Sequence, residues 1–266
     1  MISQSGALFL AVAAICASPA LASSSAWHEA EGGRVRLVTT GGPDADGHLK
    51  GVLQIDLKPG WKTYWRDPGA SGVPPSVDVS ANPLVASAVI DFPAPKHHFD
   101  GTSTWAGYDQ PVDLPVTFTM RASGKAGVID ASVFLGICET ICVPVQAKLK
   151  VDTAVGGDDS ADAATVAAAW AALPQAATND FGAKTVASDD KSVTLEVTAP
   201  NADKAELFLA GSDGYMFSLA KPVTGVGKPI WKADIITRPK EKPSGDGLHY
   251  TLLTPNGAVS GLLPYF

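Results

Sequence analysis

The segment VDLPVTFTM, from Val112 to Met120, alternates apolar and polar side chains along its length. Its even-numbered positions are apolar and share one face of an extended chain, whereas aspartate, proline and threonine occupy the other face. This two-residue period is typical of an antiparallel strand with one buried face. The same alternation recurs over 53–58 and 145–151. It predicts an all-β chain that begins with a β-sandwich over residues 27–153.

The composition changes after this predicted sandwich. A linker-like turn at 156–160 precedes an alanine-rich run from Ala161 to Leu173. Val166, Trp170 and Leu173 are spaced i, i+4, i+7, which places them on one face of a helix that a proline then ends. We therefore predict a linker with one amphipathic helix over residues 154–180, whose apolar stripe docks on a domain face.

The strand pattern resumes at Phe181, with alternating apolar residues over 193–197 and 207–209. It predicts a second, smaller β domain over residues 181–266. This part contains no cysteine. No Ser/His/Asp arrangement, phosphate-binding glycine loop or pair of carboxylates stands out in the chain, so the sequence gives a hydrolase no support.

The N-terminus has the features of an export signal. Residues 1–22 contain no Asp, Glu, Lys or Arg, Ala7 to Ala17 is an apolar run, and Ala20-Leu21-Ala22 is an A-x-A cleavage motif. The run is shorter than the roughly 20 residues of a membrane-spanning helix, so we predict a signal peptide that is removed together with Cys16. The expected location is the periplasm. The net charge of −7 disfavours nucleic acid and anionic membrane surfaces as partners.

The two remaining cysteines, Cys138 and Cys142, lie four positions apart in a strand-like segment. On one straight strand their Cα atoms would be roughly 13 Å apart, whereas a disulfide needs about 7 Å or less. Either the cysteines do not pair, or the chain turns between them. A three-residue hairpin loop over Glu139-Thr140-Ile141 would place them opposite each other. One helical turn would also suffice, but Val143-Pro144 disfavours a helix.

A bond between these cysteines would permit two functions. Closing so short a loop adds little stability, and an exposed, strained bond at a hairpin tip is of the labile kind that exchanges with thiols. A plain structural disulfide is the alternative, and the spacing alone weighs the two evenly. The C-x3-C spacing, without a βαβ pattern, argues against a thioredoxin domain.

Several segments stand out together by their aromatic, proline, glycine and cysteine content. They are Gly60 to Gly69 (GWKTYWRDPG), Ser71 to Pro75 (SGVPP), Phe92 to Pro95 (FPAP), Tyr108, Val112 to Val116 and Cys138 to Pro144. Over roughly residues 30–150 they resemble the periplasmic N-terminal domain of the thiol:disulfide interchange protein DsbD and of its ScsB-like relatives. Residues 181–266 look like the extra β module of the ScsB type. The resemblance implies an immunoglobulin-like sandwich that carries one redox pair.

The resemblance also implies a function, that of an exported thiol–disulfide exchange protein of the protein-disulfide reductase type. Cys138 and Cys142 would take reducing equivalents from a membrane-embedded thiol reductase domain and deliver them to periplasmic thioredoxin-like proteins, for isomerisation, cytochrome maturation or copper tolerance. One cysteine would form a mixed disulfide and the other would resolve it.

No cofactor or metal is expected. The sequence lacks the family's membrane and thioredoxin domains, so the donor is expected to be a separate protein and this domain to stand alone. The alternative is a periplasmic binding or docking module, for a partner protein or copper, with a structural disulfide.

Aromatic residues near these motifs have two interpretations. Trp61, Tyr64 and Trp65 are expected to pack in the core, and a wall that shields the cysteines is the alternative. The family carries a capping loop with aromatic residues. His98-Phe99-Asp100 and Tyr108 are the candidates for it here.

The pair His97-His98 invites a metal hypothesis, because imidazole together with thiolate suits copper or zinc. Adjacent side chains point in different directions on an extended chain. The pair also lies in a proline-rich segment far in sequence from the cysteines. We therefore expect it in a solvated loop.

Overall fold

The computed structural model describes residues 23–69, 72–99, 101, 104–122, 127–154, 159–211, 214–223, 228–241, 243 and 247–265. The predicted signal peptide, 1–22, lies outside them. The strands are, in chain order, β1 (His28–Ala30), β2 (Gly33–Thr39), β3 (His48–Leu57), β4 (Thr63–Tyr64), β5 (Ser76–Asp78), β6 (Val85–Ile90), β7 (Lys96–Phe99), β8 (Thr104–Tyr108), β9 (Val112–Met120), β10 (Val128–Cys138), β11 (Cys142–Asp152), β12 (Gln175–Ala176), β13 (Gly182–Ser188), β14 (Ser192–Thr198), β15 (Glu206–Ala210), β16 (Met216–Phe217), β17 (Lys221–Val223), β18 (Ile230–Thr237), β19 (Leu248–Thr254) and β20 (Gly257–Leu263). An α-helix, α1 (Ser160–Ala171), separates β11 from β12, and a 3-10 turn spans Ala202–Lys204.

Two antiparallel sheets form what we call the N-terminal sandwich. One has the strand order β1-β2-β3-β9-β6 and the other the order β11-β10-β5. All the even-numbered side chains of β9 are buried, as the alternation of Val112 to Met120 predicts. They pack with the inward residues of β2, β3, β10 and β11 in one core. The prediction of an all-β fold that begins with a sandwich is confirmed.

The longest hairpin of this sandwich carries the cysteines. Strands β10 and β11 pair without a register shift from Val128 opposite Asp152 to Cys138 opposite Cys142. The connection is therefore the three residues 139–141, and the hairpin turn that the spacing allowed is present. Its tip is fixed to β4, because Lys62 and Cys138 form an isolated antiparallel bridge.

Helix α1 packs on the outside of the N-terminal sandwich. The side chain of Asp159 caps its first turn by accepting hydrogen bonds from the backbone nitrogens of Ala161 and Asp162. Val166 and Ala169 are buried against valines of β2 and β3. The helix ends at Ala171, two residues before the end that the sequence pattern predicts.

Two more sheets, which we call the C-terminal sheets, follow the helix. Their strand orders are β12-β20-β19-β15 and β13-β14-β18-β16, with β17 paired to β18. They enclose a second core that includes Val193, Leu195 and Trp231. Strand β15 contributes to both cores, because Leu207 and Leu209 lie in the second core whereas Phe208 and Ala210 lie in the first. The two halves of the chain are therefore joined by apolar packing.

A small sheet with the order β4-β8-β7 lies beside the cysteine hairpin. We call β7 and β8 together the lid hairpin. His97 pairs with Ala106 and His98 with Trp105 in this hairpin, so the prediction that His97-His98 is a solvated loop is wrong. In the part of the chain that the structure describes, no helix has the length and apolar character needed to cross a membrane.

Candidate redox site

Cys138 and Cys142 form a disulfide at the tip of the β10–β11 hairpin. Their sulfurs are 2.04 Å apart and their Cα atoms 4.1 Å apart. Cys138 is buried, with 1% of its surface exposed, whereas Cys142 is exposed. The two sulfurs are thus inequivalent, because a reactant from solvent meets the Cys142 side of the bond first.

Backbone hydrogen bonds hold Cys138 in place. The Lys62 nitrogen donates to the Cys138 oxygen at 2.8 Å, and the Cys138 nitrogen donates to the Lys62 oxygen at 2.9 Å. The Thr63 hydroxyl, which is fully buried, donates to the Gly136 oxygen at 2.9 Å. These bonds fix the segment that contains Tyr64 against the cysteine hairpin.

The Tyr64 hydroxyl lies over the disulfide, 3.2 Å from the Cys138 sulfur and 3.2 Å from the Cys142 sulfur. Its ring occupies space that a side chain on Gly72 would fill, and it lies at contact distance from Gly136. A Cβ on Gly72 would lie 2.7 Å from the ring carbon Cδ1, and one on Gly136 would lie 3.4 Å from Cε2. Tyr64 is therefore held with its only polar side-chain group directed at the sulfurs.

The lid hairpin covers the Tyr64 ring from the other side. Trp105 meets Tyr64 edge-on, with ring centroids 5.7 Å apart, and His98 stacks on Trp105 at 3.9 Å. The Lys62 ammonium lies 4.5 Å from the centre of the Trp105 ring. Tyr64, Trp105 and Cys138 form one buried cluster. The buried sulfur thus lies in a cluster with aromatic side chains.

His97, the neighbour of His98, packs in the opposite direction. Its ring stacks on Phe208 of β15 at 3.9 Å, and Phe208 meets Trp65 edge-on at 5.9 Å. Burial lowers the pKa of His97 to about 4, and burial also lowers the pKa of His98. Both imidazoles are therefore neutral at pH 7.

The exposed side of the site includes one large apolar side chain. Ile141, directly before Cys142, is 72% exposed. On the far side of the turn, Glu139 lies near Gly60, whose positive φ of 87° favours glycine. An exposed apolar side chain thus directly precedes the exposed cysteine.

Comparison with protein families bears directly on this site. Residues 39–154 match the family model of the thiol:disulfide interchange protein DsbD, N-terminal. The predicted resemblance to DsbD is confirmed. The DsbD-like stretch includes both cysteines, Tyr64 and the lid hairpin, so the disulfide lies in a domain of the thiol–disulfide interchange type. No curated protein matches the chain.

The N-terminal periplasmic domain of ScsB from Proteus mirabilis has a similar fold. The TM-score is 0.72 at 17% sequence identity, and the match covers 92% of this chain and 100% of that domain. At this identity the likeness concerns the fold alone. Because it covers nearly the whole chain, it includes the C-terminal sheets as well as the DsbD-like stretch.

The DsbD-like site corrects part of the sequence interpretation of the aromatic residues. Tyr64 contacts the sulfurs, so the interpretation as a shielding wall holds for it. Trp65 is in the core as expected, and Trp61 packs against the edge of that core. Tyr108 is not part of the cover over the sulfurs, because it is buried and its hydroxyl donates to the Pro93 oxygen at 2.8 Å.

The lid hairpin supplies the cover over the cysteines. Trp105, the central residue of this cover, was not predicted from the sequence. Trp105 carries no motif of its own, and its position depends on pairing with His98 across a turn that the sequence does not reveal. Of the proposed capping segment, His98 belongs to the cover, Phe99 is 71% exposed at its edge, and Asp100 lies outside the described residues.

The metal hypothesis receives no support from the two histidines. Their rings stack on different aromatic residues on opposite faces of β7. Among the described residues, no three His, Cys, Asp or Glu side chains are grouped in a way that could bind a metal ion.

Proposed function

We propose that this chain passes reducing equivalents by thiol–disulfide exchange at Cys138 and Cys142, between a membrane-embedded thiol reductase as donor and periplasmic thioredoxin-like proteins as acceptors. The observation that carries the proposal is the asymmetric disulfide, in which residue Cys142 is exposed and residue Cys138 is buried beneath Tyr64. A disulfide that only reinforced the hairpin would need neither an exposed sulfur nor a hydroxyl aimed at both.

The reduction step begins when a donor thiolate attacks the exposed Cys142 sulfur. A bond forms between the donor sulfur and Cys142, the Cys138–Cys142 bond breaks, and its electron pair goes to Cys138, which takes up a proton. The second donor thiol then attacks the donor sulfur of this mixed disulfide and releases Cys142. Two electrons and two protons move from the donor to the pair, and the donor is left with a disulfide.

Delivery is the reverse sequence with a different protein. The Cys142 thiolate attacks the disulfide of an acceptor, and Cys138 then attacks Cys142 to release the acceptor in its dithiol form. In this scheme Cys142 forms the mixed disulfides and Cys138 resolves them. The exchange uses only sulfur chemistry, so it requires no cofactor.

Tyr64 assists the sulfur that leaves. Its O–H, 3.2 Å from each sulfur, donates a hydrogen bond to the thiolate that forms on Cys138. Hydrogen bonds to charged acceptors are stronger than those to neutral ones, so this contact stabilises the reduced pair more than the disulfide. Tyr64 is thereby both a cover for the buried sulfur and a donor to it.

The family match and the described geometry also support the partners and the location. The DsbD-like stretch belongs to a family named for thiol:disulfide interchange, and the ScsB domain of similar fold is periplasmic. The exposed Ile141 offers a partner protein an apolar contact next to the reacting sulfur.

Single-cysteine variants test which sulfur reacts. Cys138→Ala leaves the exposed Cys142 and is expected to form a mixed disulfide with a thioredoxin-like protein whose active site is oxidised. Cys142→Ala leaves the buried Cys138 and is expected to react at least about tenfold more slowly, since its sulfur must first be uncovered by a local opening. Mass spectrometry of alkylated, non-reduced samples measures both rates. Equal rates, or a faster reaction of Cys142→Ala, would contradict the proposed order of attack.

A further inference from the structure

Two consecutive residues of the lid hairpin face opposite sides of the molecule. His98 stacks on Trp105, which lies against Tyr64 above the buried sulfur. His97 stacks on Phe208, which belongs to β15 of the C-terminal sheets. Because side chains alternate along a strand, a single short strand, β7, connects the redox site with the other half of the chain.

Phe208 makes a second contact of the same kind. Its ring lies edge-on to Trp65, and Trp65 directly follows Tyr64 in the sequence. One side chain of the C-terminal sheets thus touches the neighbour of His98 and the neighbour of Tyr64. These are the two places from which the cover over Cys138 is built.

The position of Phe208 is well defined. It is 2% exposed and lies in the core of the N-terminal sandwich, although its neighbours Leu207 and Leu209 lie in the core of the C-terminal sheets. Strand β15 therefore cannot move without disturbing both the lid hairpin and Trp65.

We infer that the C-terminal sheets act, through Phe208, as the positioning element that keeps the lid hairpin and Tyr64 closed over Cys138. The inference rests on the proposed function. It gives the second half of the chain a role in selectivity: a closed cover restricts attack on the disulfide to Cys142, whereas an open cover also lets small thiols such as glutathione attack Cys138. Loss of the Phe208 contacts should therefore favour small thiols.

The expected effect is that of one buried aromatic contact. Removing it shifts the balance between closed and open lid by about three- to tenfold. The contribution of attack at Cys138 to the rate of reduction by glutathione should rise by the same factor, and the total rate should rise with it. The equilibrium potential should change much less, because opening the lid exposes the oxidised and the reduced pair alike.

The test compares five variants of the full mature chain. Phe208→Ala and Phe208→Leu remove all or part of the ring, and the second keeps the fold if the first does not. His97→Ala removes the stacking partner, whereas His97→Phe retains a ring in its place. Leu195→Ala is the matched control, because Leu195 is fully buried in the second core and has no part in the lid contacts.

Three measurements are made on each variant: the rate of reduction by glutathione, hydrogen exchange over 96–108, and thermal unfolding. We expect faster reduction and faster exchange in Phe208→Ala, Phe208→Leu and His97→Ala, with wild-type values restored in His97→Phe. Leu195→Ala should lower the unfolding temperature without changing either rate. Unchanged rates in the folded Phe208 and His97→Ala variants, or an equal increase in Leu195→Ala, would overturn the inference.

Failure of this inference is distinguishable from failure of the proposed function. The glutathione rate and the hydrogen exchange report on the lid whether or not a protein partner ever uses the disulfide. The reduction potential and the single-cysteine reactions report on exchange whether or not Phe208 controls the lid.

Discussion

Tyr64 is the residue on which the chemistry of the site depends. Its hydroxyl is the polar side-chain group placed equally close to both sulfurs, at 3.2 Å from each. An aromatic hydroxyl so placed can favour whichever sulfur carries negative charge. In the proposed order of attack, which follows the inequivalent exposure of the cysteines, this sulfur is Cys138 during reduction.

Tyr64→Phe should therefore lower the reduction potential of the pair. Loss of one hydrogen bond to a thiolate, at about 1.5–3 kcal/mol, corresponds to about 30–65 mV toward more negative values. The fold should persist because the ring stays in place. Tyr108→Phe is the control, since the Tyr108 hydroxyl bonds the Pro93 oxygen instead of a sulfur. Glutathione titration of both variants makes the comparison, and equal potentials in the two would contradict the role of the Tyr64 hydroxyl.

At the scale of the element, the lid hairpin depends on a close approach between β4 and β8. Gly107 pairs with Tyr64 across these strands. A Cβ on Gly107 would lie 2.3 Å from the Thr63 oxygen and 2.9 Å from the Tyr64 Cα. Both are backbone atoms, so the strands would have to separate to accept a side chain.

Gly107→Ala should therefore loosen the lid hairpin and destabilise the chain by about 1–3 kcal/mol. Reduction by glutathione should become faster, because the cover over Cys138 opens more readily. Gly42→Ala is the matched control, since a Cβ there would meet nothing within 4 Å. Urea unfolding and the glutathione rate are the measurements. If Gly107→Ala were as stable as Gly42→Ala and as slowly reduced by glutathione, the lid hairpin would not depend on the close approach of β4 and β8.

The sequence predicts elements that depend on local pattern. The alternation of Val112 to Met120 identifies a half-buried strand, and the four-residue spacing of Cys138 and Cys142 allows a three-residue hairpin turn that would let them pair. The lid hairpin was missed because its strands are only four and five residues long and contain no extended alternation. His97-His98 follows the proline-rich run Pro93-Ala94-Pro95, and a short strand after such a run has the character of a loop.

Contacts between segments that are distant in sequence could not be predicted from the sequence alone. Leu207, Phe208 and Leu209 are all apolar, and nothing in their order shows that Phe208 belongs to a different core from its neighbours. The same holds for Trp105, whose partners Tyr64 and His98 are set by tertiary structure. Periodicity predicts which face of a strand a residue occupies. The residues that pack against that face are set by the tertiary structure.

At the scale of the whole molecule, the contact between the N-terminal sandwich and the C-terminal sheets includes a titratable side chain, that of His97. The His97 ring is stacked on Phe208, and its Nε2 is buried without a hydrogen-bond partner among the described residues. Protonation would place an unsatisfied N–H there, which is why burial lowers its pKa from 6.5 to about 4. In the unfolded chain the same group takes up a proton at about its ordinary pKa.

Stability should therefore fall as the pH is lowered from about 6.5 to about 4. Over this window the unfolded chain binds a proton at His97 that the folded chain does not, so acid favours unfolding. We expect this residue to account for about 1–2 kcal/mol, less than the full shift would give because the side chain keeps some solvent contact. Below about pH 4 its contribution should level off, because the folded chain then binds the proton too.

His97→Phe is the matched comparison for this pH dependence. The variant keeps a ring on Phe208 and removes the titrating nitrogen, so the difference in stability between wild type and variant should depend on pH only in this window. Chemical denaturation at pH 4, 5, 6 and 7 measures the difference. A difference that stays constant over these values would contradict the burial of a neutral His97.

The reduction potential of the Cys138–Cys142 pair tests the central claim most directly. It is measured on the mature chain by equilibration in glutathione redox buffers, followed by thiol trapping and mass spectrometry. A pair that exchanges with periplasmic thiol proteins should have a potential of roughly −180 to −270 mV. A bond that stays closed well below about −300 mV would be a structural disulfide, and would leave the chain as a binding module rather than an electron carrier.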